Sequence, residues 1–277
     1  MTEILTYSAL LAASTLGGAA VVHIWGKKLV KQLSLLLAFG GSYLIGLIFL
    51  HLVPEVFHSG HAHESANTLS PGWFILAGFV LQIFLEYFSN GIEHGHSHLH
   101  DHGHSHDHSE KGHHHGPSTR TRAFPLAAFL SLCVHGFIEA MPLAGGAHAH
   151  HHHHHGDMHI DLDSSSLMIG LMIHTFPVAM VLAALLLATR LSKGWQWFYI
   201  AIFALVPLAG MLLSDVLLHH SGLDANLLLS ALGGMLIGIL LHIATTMLFE
   251  TSDGHHFNLR KLLIIVVGLG LAAVTLA

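Results

Sequence analysis

Two stretches of the chain place metal-binding side chains at helical spacing. In CVHGFIEAMP, His135 and Glu139 are four residues apart, which puts an imidazole and a carboxylate on one face of a helix. In MIHTFPVAM, His174 adds a second imidazole, with Pro177 three residues later. Proline removes a backbone N–H and kinks a helix, opening space beside the preceding turn. All three residues stand inside long apolar runs, where an ionisable side chain is costly and marks function by default. Taken singly, either histidine is as readily an interhelical hydrogen-bond partner. As a set with a carboxylate, they suit zinc or a related divalent first-row cation, which would also give Glu139 the charge partner it needs away from water.

Further ionisable groups stand near the ends of apolar runs. HLVPEVFH supplies His51, Glu55 and His58, read as an entrance where metal is captured. Glu86, His242 and Glu250 are read as an exit relay at the other side. The plainer alternative for both groups is interfacial polar residues marking helix ends, and His23 is read that way. Gly234 and Gly238 form a small-xxx-small pair suited to close helix packing.

The elements that must position these groups follow from composition. Of 277 residues, 52% are apolar and 9% charged, against about 25% charged in a soluble domain. The mean hydropathy is +0.61. A net charge of −6 with only 10 Lys and Arg excludes the usual basic nucleic-acid binder. The single cysteine, Cys133, excludes disulfide frameworks and cysteine-rich zinc modules. Strand-type alternation is absent, which argues against a transmembrane barrel. The composition therefore predicts an all-α polytopic membrane protein whose partners are the lipid bilayer and a metal ion, with no organic cofactor.

Windows long enough to cross about 30 Å of hydrocarbon predict eight transmembrane helices near residues 4–25, 33–53, 72–88, 123–146, 166–189, 195–218, 226–249 and 262–277. The first lacks a basic leader and is long for a signal-peptide core, so it is read as retained. Every lysine and arginine falls in an odd-numbered loop: Lys27, Lys28 and Lys31; Lys111, Arg120 and Arg122; Arg190 and Lys193; Arg260 and Lys261. The positive-inside rule then places those loops in the cytoplasm and both termini outside. With no organelle-targeting segment visible, a bacterial inner membrane is the expected location. On this topology Glu139 and His135 lie about 10 and 17 Å below the outer end of the fourth span, and His174 about 12 Å below the start of the fifth. The three donors thus share one layer of the bilayer.

Histidine accounts for 31 residues, most of them in two low-complexity loops of a single transmembrane domain spanning residues 1–277. Residues 90–122 form the cytoplasmic one, beginning with His94, His96 and His98; residues 147–165 form the external one, with His148, His150 and His151 among its members. Neither can bury a core. An expression tag fits the second poorly, because the run is internal and continues to His159. As neutral imidazoles these loops would concentrate metal at each mouth, and below roughly pH 6 protonation would release it.

On these residues the chain resembles the ZIP (Zrt/Irt-like) family of divalent metal transporters. The fourth-span stretch His135-Gly136-Phe137-Ile138-Glu139-Ala140 is similar to the family's His-Asn-x-x-Asp/Glu-Gly. His174-Thr175-Phe176-Pro177-Val178 lines up with His-Glu-x-Pro-His/Glu, and His51-Leu52-Val53-Pro54-Glu55 with His-x-x-Pro-Glu. The resemblance covers nearly the whole chain and implies a ZIP-like bundle of eight helices with external termini and a His-rich cytoplasmic loop. It also implies import of zinc or a similar ion to the cytoplasm through a midplane His/Glu site. Family members commonly hold two adjacent metals bridged by carboxylates. Here Gly136, Thr175 and Val178 replace three of the expected ligands, and Val206-Pro207-Leu208 stands where a Glu-Pro pair is typical. These departures imply one site, His135, Glu139 and His174, with water or a further group completing it. A single carboxylate favours zinc-like cations over hard magnesium or calcium.

Transport is the leading expectation, with metal as the substrate, and the chain is read as a non-enzyme. No P-loop supports ATP-driven pumping, and HGFIE is not the HExxH of an intramembrane metalloprotease. Two alternatives stay open: a membrane metal sensor or buffer that does not transport, and a His-rich exporter of the cation-diffusion type. The exporter family usually has six spans and a soluble C-terminal domain. The assembly state is open, with a homodimer among the choices.

Overall fold

The computed structural model describes residues 1–26, 33–60, 70–89, 126–149, 164–222, 224–249 and 259–276. Among these the architecture is all-helical, with eight helices long and apolar enough to cross a membrane. They are α1 (Thr2–Trp25), α2, α3 (Pro71–Ser89), α4 (Leu126–Ala149), α5 (Ser164–Leu187), α6 (Lys193–His220), α7 (Ala225–Phe249) and α8 (Leu259–Leu276). The second, α2, is one rod made of Leu33–Leu47, a π-helical turn at Ile48–Leu52 and a final helical segment Val53–Gly60.

Two boundaries differ notably from the sequence expectation. The fourth helix, described from Leu126, continues to Ala149, so the first residues assigned to the external loop are helical. The second rod runs past Val53 to Gly60, carrying Glu55 and His58 on helix. Polar residues do not end a helix unless they offer the backbone another partner, and an apolar window therefore underestimates such ends. Glu250, His94, His96, His98, His150 and His151 lie outside the described residues.

Leucine, isoleucine, alanine and phenylalanine on every side of a helix suit lipid as well as protein contact, and helices satisfy their own backbone groups where water is absent. Burial sorts the eight. In α2 and α5, 61% of the most apolar stretch is buried, against 17% in α3 and α8; the first pair is central and the second peripheral. Leu263, Val266 and Val274 of α8 and Phe84 and Phe88 of α3 face outward. Trp25 and Trp195 are exposed at the ends of α1 and α6 that adjoin Lys27, Lys28 and Lys193, as expected of an interfacial aromatic belt.

The principal neighbours are α3 with α7, α4 with α6, α1 with α5, and α2 with α8; α1 also touches α6, and α2 touches α5 and α7. Exchanging α1 with α6, α2 with α7, α3 with α8 and α4 with α5 maps these principal contacts onto themselves. Glycine closes each of the four main seams. A Cβ on Gly78 would strike the carbonyl of Met235 and one on Gly238 that of Ile75, which locks α3 to α7. Gly234 meets Phe74 in the same seam, so the Gly234–Gly238 pair serves close packing. Gly46 and Gly268 do the same between α2 and α8. Gly18 seats the carbonyl of Phe176 (α1 on α5), and Gly210 that of Phe137 (α6 on α4).

Candidate metal centre

His135, Glu139 and His174 converge in one buried cluster at 3%, 4% and 1% exposure. His135 and Glu139 rise from successive turns of α4, and His174 faces them from α5. His135 Nε2 lies 3.1 Å from Glu139 Oε2 and 3.4 Å from His174 Nε2, and His174 Nε2 lies 3.6 Å from Glu139 Oε1. The imidazoles meet edge to face, 86° apart. A tetrahedral ion with bonds of about 2.0–2.1 Å has donor–donor edges of roughly 3.3–3.4 Å. The separations, taken to both oxygens of Glu139, lie near that edge, and one ligand atom from each residue falls within 4.8 Å of the others, so the three could hold one ion with a fourth position left for water.

Local sequence explains how the turns are held. On α5 the helix runs through Pro177 without interruption, and proline leaves the carbonyl four residues earlier, that of Ile173, without its helical donor. Gly40 of α2 sits beside both the Pro177 ring and this carbonyl. Ser14 of α1 donates to the carbonyl of Met172 at 2.8 Å. Gly18 receives Phe176, two residues beyond His174, and Gly210 receives Phe137, two residues beyond His135. Each histidine is therefore followed by a backbone carbonyl seated in a glycine of the adjacent helix.

The cluster lies where two apolar cores join. Leu11 and Leu171 belong to one core, Val178 and Phe203 to the other, and all four line the cavity at the three donors. Thr15, Thr175 and Pro207 complete most of the wall. The cavity measures about 20 Å³, against the roughly 10–15 Å³ that one water needs on the same measure. Charge is unbalanced there. Glu139 Oε1 and His174 Nδ1 are buried without a hydrogen bond, and removing an uncompensated carboxylate from water costs several kcal/mol, in rough terms. A cation between the three donors supplies the missing charge.

The other groups lie apart from the trio. His51 Nε2 is 3.5 Å from Glu55 Oε2, with His51 inside the π turn of α2. His58 is on the last segment of α2 and His148 near the end of α4. Glu86 and His242 meet across α3 and α7 at 2.5 Å. His23 packs inward from the end of α1, joining Gln196 of α6 at 3.2 Å and lying against Trp197.

Several contributors to the site carried no role in the sequence reading: Ser14, Thr15 and Gly18 of α1, and Gly210 of α6. A signal existed, since Ser14-xxx-Gly18 and Gly210-xxx-Ser214 are small-xxx-small pairs of the kind that mark close helix contacts.

No protein-family model matches the chain, and none of the curated proteins compared with it matches either. The functional reading rests on the geometry: a membrane-type helix bundle with a buried His/His/Glu group that could hold a metal ion.

Proposed function

We propose that the protein is a ZIP-like transporter that moves zinc, or a related divalent first-row ion, across the membrane through His135, Glu139 and His174. The observation that carries this reading is the trio itself: three donor residues close enough to share one ion, buried between membrane-type helices. Structural zinc sites are closed by four protein ligands. A site with an open fourth corner, by contrast, can gain and lose its ion by exchanging water. Alternate exposure of such a midplane site needs no nucleotide. The alternation of lysine and arginine along the loops supports external termini, and inward movement of metal follows from the ZIP likeness.

Metal flux into proteoliposomes tests this. Zinc, cadmium, iron, manganese and nickel are compared for the wild type, Glu139→Ala and His174→Ala. Zinc-selective uptake that both substitutions abolish, with the protein still inserted, is the expected result. Uptake unchanged in Glu139→Ala removes the trio from the pathway. Tight binding without flux transfers the protein to the sensing or buffering alternative, which the missing second set of ligands at Gly136, Thr175 and Val178 favours.

A further inference from the structure

The pair formed by Glu86 and His242 is the second interhelical acid–imidazole contact within the bundle, and the metal centre does not use it. Glu86 Oε2 lies 2.5 Å from His242 Nε2, His242 is 9% exposed, and Phe79 stands edge-on to the imidazole. His242 Nδ1 is buried and, among the described residues, has no hydrogen-bond partner.

Holding α3 against α7 does not explain the pair. Gly78, Gly234 and Gly238 already close that seam by backbone contact, and a polar clasp would not leave one ring nitrogen stranded in a buried position. The pair has room for one further proton. With Nε2–H donating to the carboxylate, the two residues together carry one negative charge, and Nδ1 offers a bare lone pair. One added proton at Nδ1 gives carboxylate and imidazolium, with a net charge of zero. In surroundings this apolar, the two states differ by a full charge.

The titratable groups that the neighbouring helices carry are Tyr87 on α3 itself, 77% exposed, Cys133, His135, Glu139 and His148 on α4, and Tyr43, His51, Glu55 and His58 on α2. Among the described residues the ionic partners of Glu86 and His242 are each other. The pair does adjoin the metal helix. Ser131, one turn before His135 on α4, donates to the carbonyl of Leu85, the residue before Glu86.

We infer that Glu86 and His242 form a binding site for one proton, and that this proton is exchanged against the metal ion. The second half rests on the transport reading above. A divalent cation leaving the trio along α4 meets the pair in its protonated, neutral state, and its charge expels the proton from Nδ1 to the water on the side the metal came from, leaving one negative charge beside the ion. Once the metal has gone, a proton taken from the water on the side the metal enters restores neutrality at Nδ1, so that one proton crosses against each ion. Metal and proton therefore compete for one negative charge.

Two measurements test this. The first does not depend on transport: ¹⁵N-histidine spectra of the full-length protein, with His242→Gln identifying the His242 signals. Nδ1 should pass from bare to protonated on acidification between about pH 8 and 5, and Glu86→Gln should alter that transition. An Nδ1 that keeps one protonation state across this range, or that titrates identically in Glu86→Gln, overturns the proton site whether or not metal moves. The second follows zinc and luminal pH together in proteoliposomes. The wild type should move about one proton against each zinc ion, and the proton-to-zinc ratio should fall to nearly zero in Glu86→Gln and in His242→Gln, at whatever rate zinc still enters. An unchanged ratio overturns the exchange. A wild type that moves no zinc refutes the transport reading and the exchange with it, and leaves the spectroscopic result to decide the proton site.

Discussion

On α4 the residue four beyond the histidine is Glu139; on α5 the residue four beyond the histidine is Val178. The two helices hold equivalent places in the contact pattern. Each is backed by one partner, α6 or α1, and each is seated by a glycine two residues past its histidine, Gly210 or Gly18. The backbone is thus prepared twice, while the carboxylate is supplied once. Packing has kept a near-symmetric frame around chemistry that is not symmetric. The result is a centre with one charge to offer, so that a bound divalent ion keeps an excess positive charge and is held less firmly than between two carboxylates.

The largest effect should come from removing that asymmetry downward. Glu139→Ala leaves two imidazoles and should weaken zinc binding by more than about 100-fold, since even outer-shell partners are worth about 10–100-fold; calorimetry on purified protein measures it. His174→Ala strips α5 of its ligand and should cost about 100-fold by the same measurement. Raising α5 to match α4 has the opposite sense. Val178→Glu supplies a second carboxylate and should shift preference from zinc toward manganese by about tenfold, some 1.4 kcal/mol, read from competition binding. Gly210→Ala and Gly18→Ala test the frame rather than the donors. Each forces a methyl against a backbone carbonyl and should lower stability by about 1–3 kcal/mol, with a lower thermal midpoint and a looser metal site. The smallest change is expected for Ser14→Ala, which removes one hydrogen bond to the Met172 carbonyl and should cost about 1 kcal/mol in the same melting experiment.

Much of this was legible in the sequence, for reasons that can be located. The eight helices follow from apolar length alone, and the trio from spacing on one helix combined with depth on the next. The depth argument needed only that the fourth and fifth spans are consecutive, so that the end of one and the start of the next share a surface; lysine and arginine supplied the expectation that this surface is the external one. Partner choice was not legible. Nothing in the local pattern of α3 says that its Glu86 will face His242 of α7, because that contact depends on how Gly78 and Gly238 let two distant segments approach. The roles of Ser14 and Gly18 were hidden for the same reason. Their small side chains acquire meaning only against the Met172 and Phe176 carbonyls, 158 residues away in each case.

The turn at Ile48–Leu52 has a separate consequence. Val53 N–H reaches back five residues to Ile48 O, so this rod carries one residue more than regular winding would accommodate. A surplus residue turns everything after it by about 100°. The last segment of α2, with Glu55, is therefore indexed differently from the part that packs against Pro177. Deleting Phe49 would restore regular winding and swing the Glu55 carboxylate to a new bearing while leaving the composition of that end almost untouched.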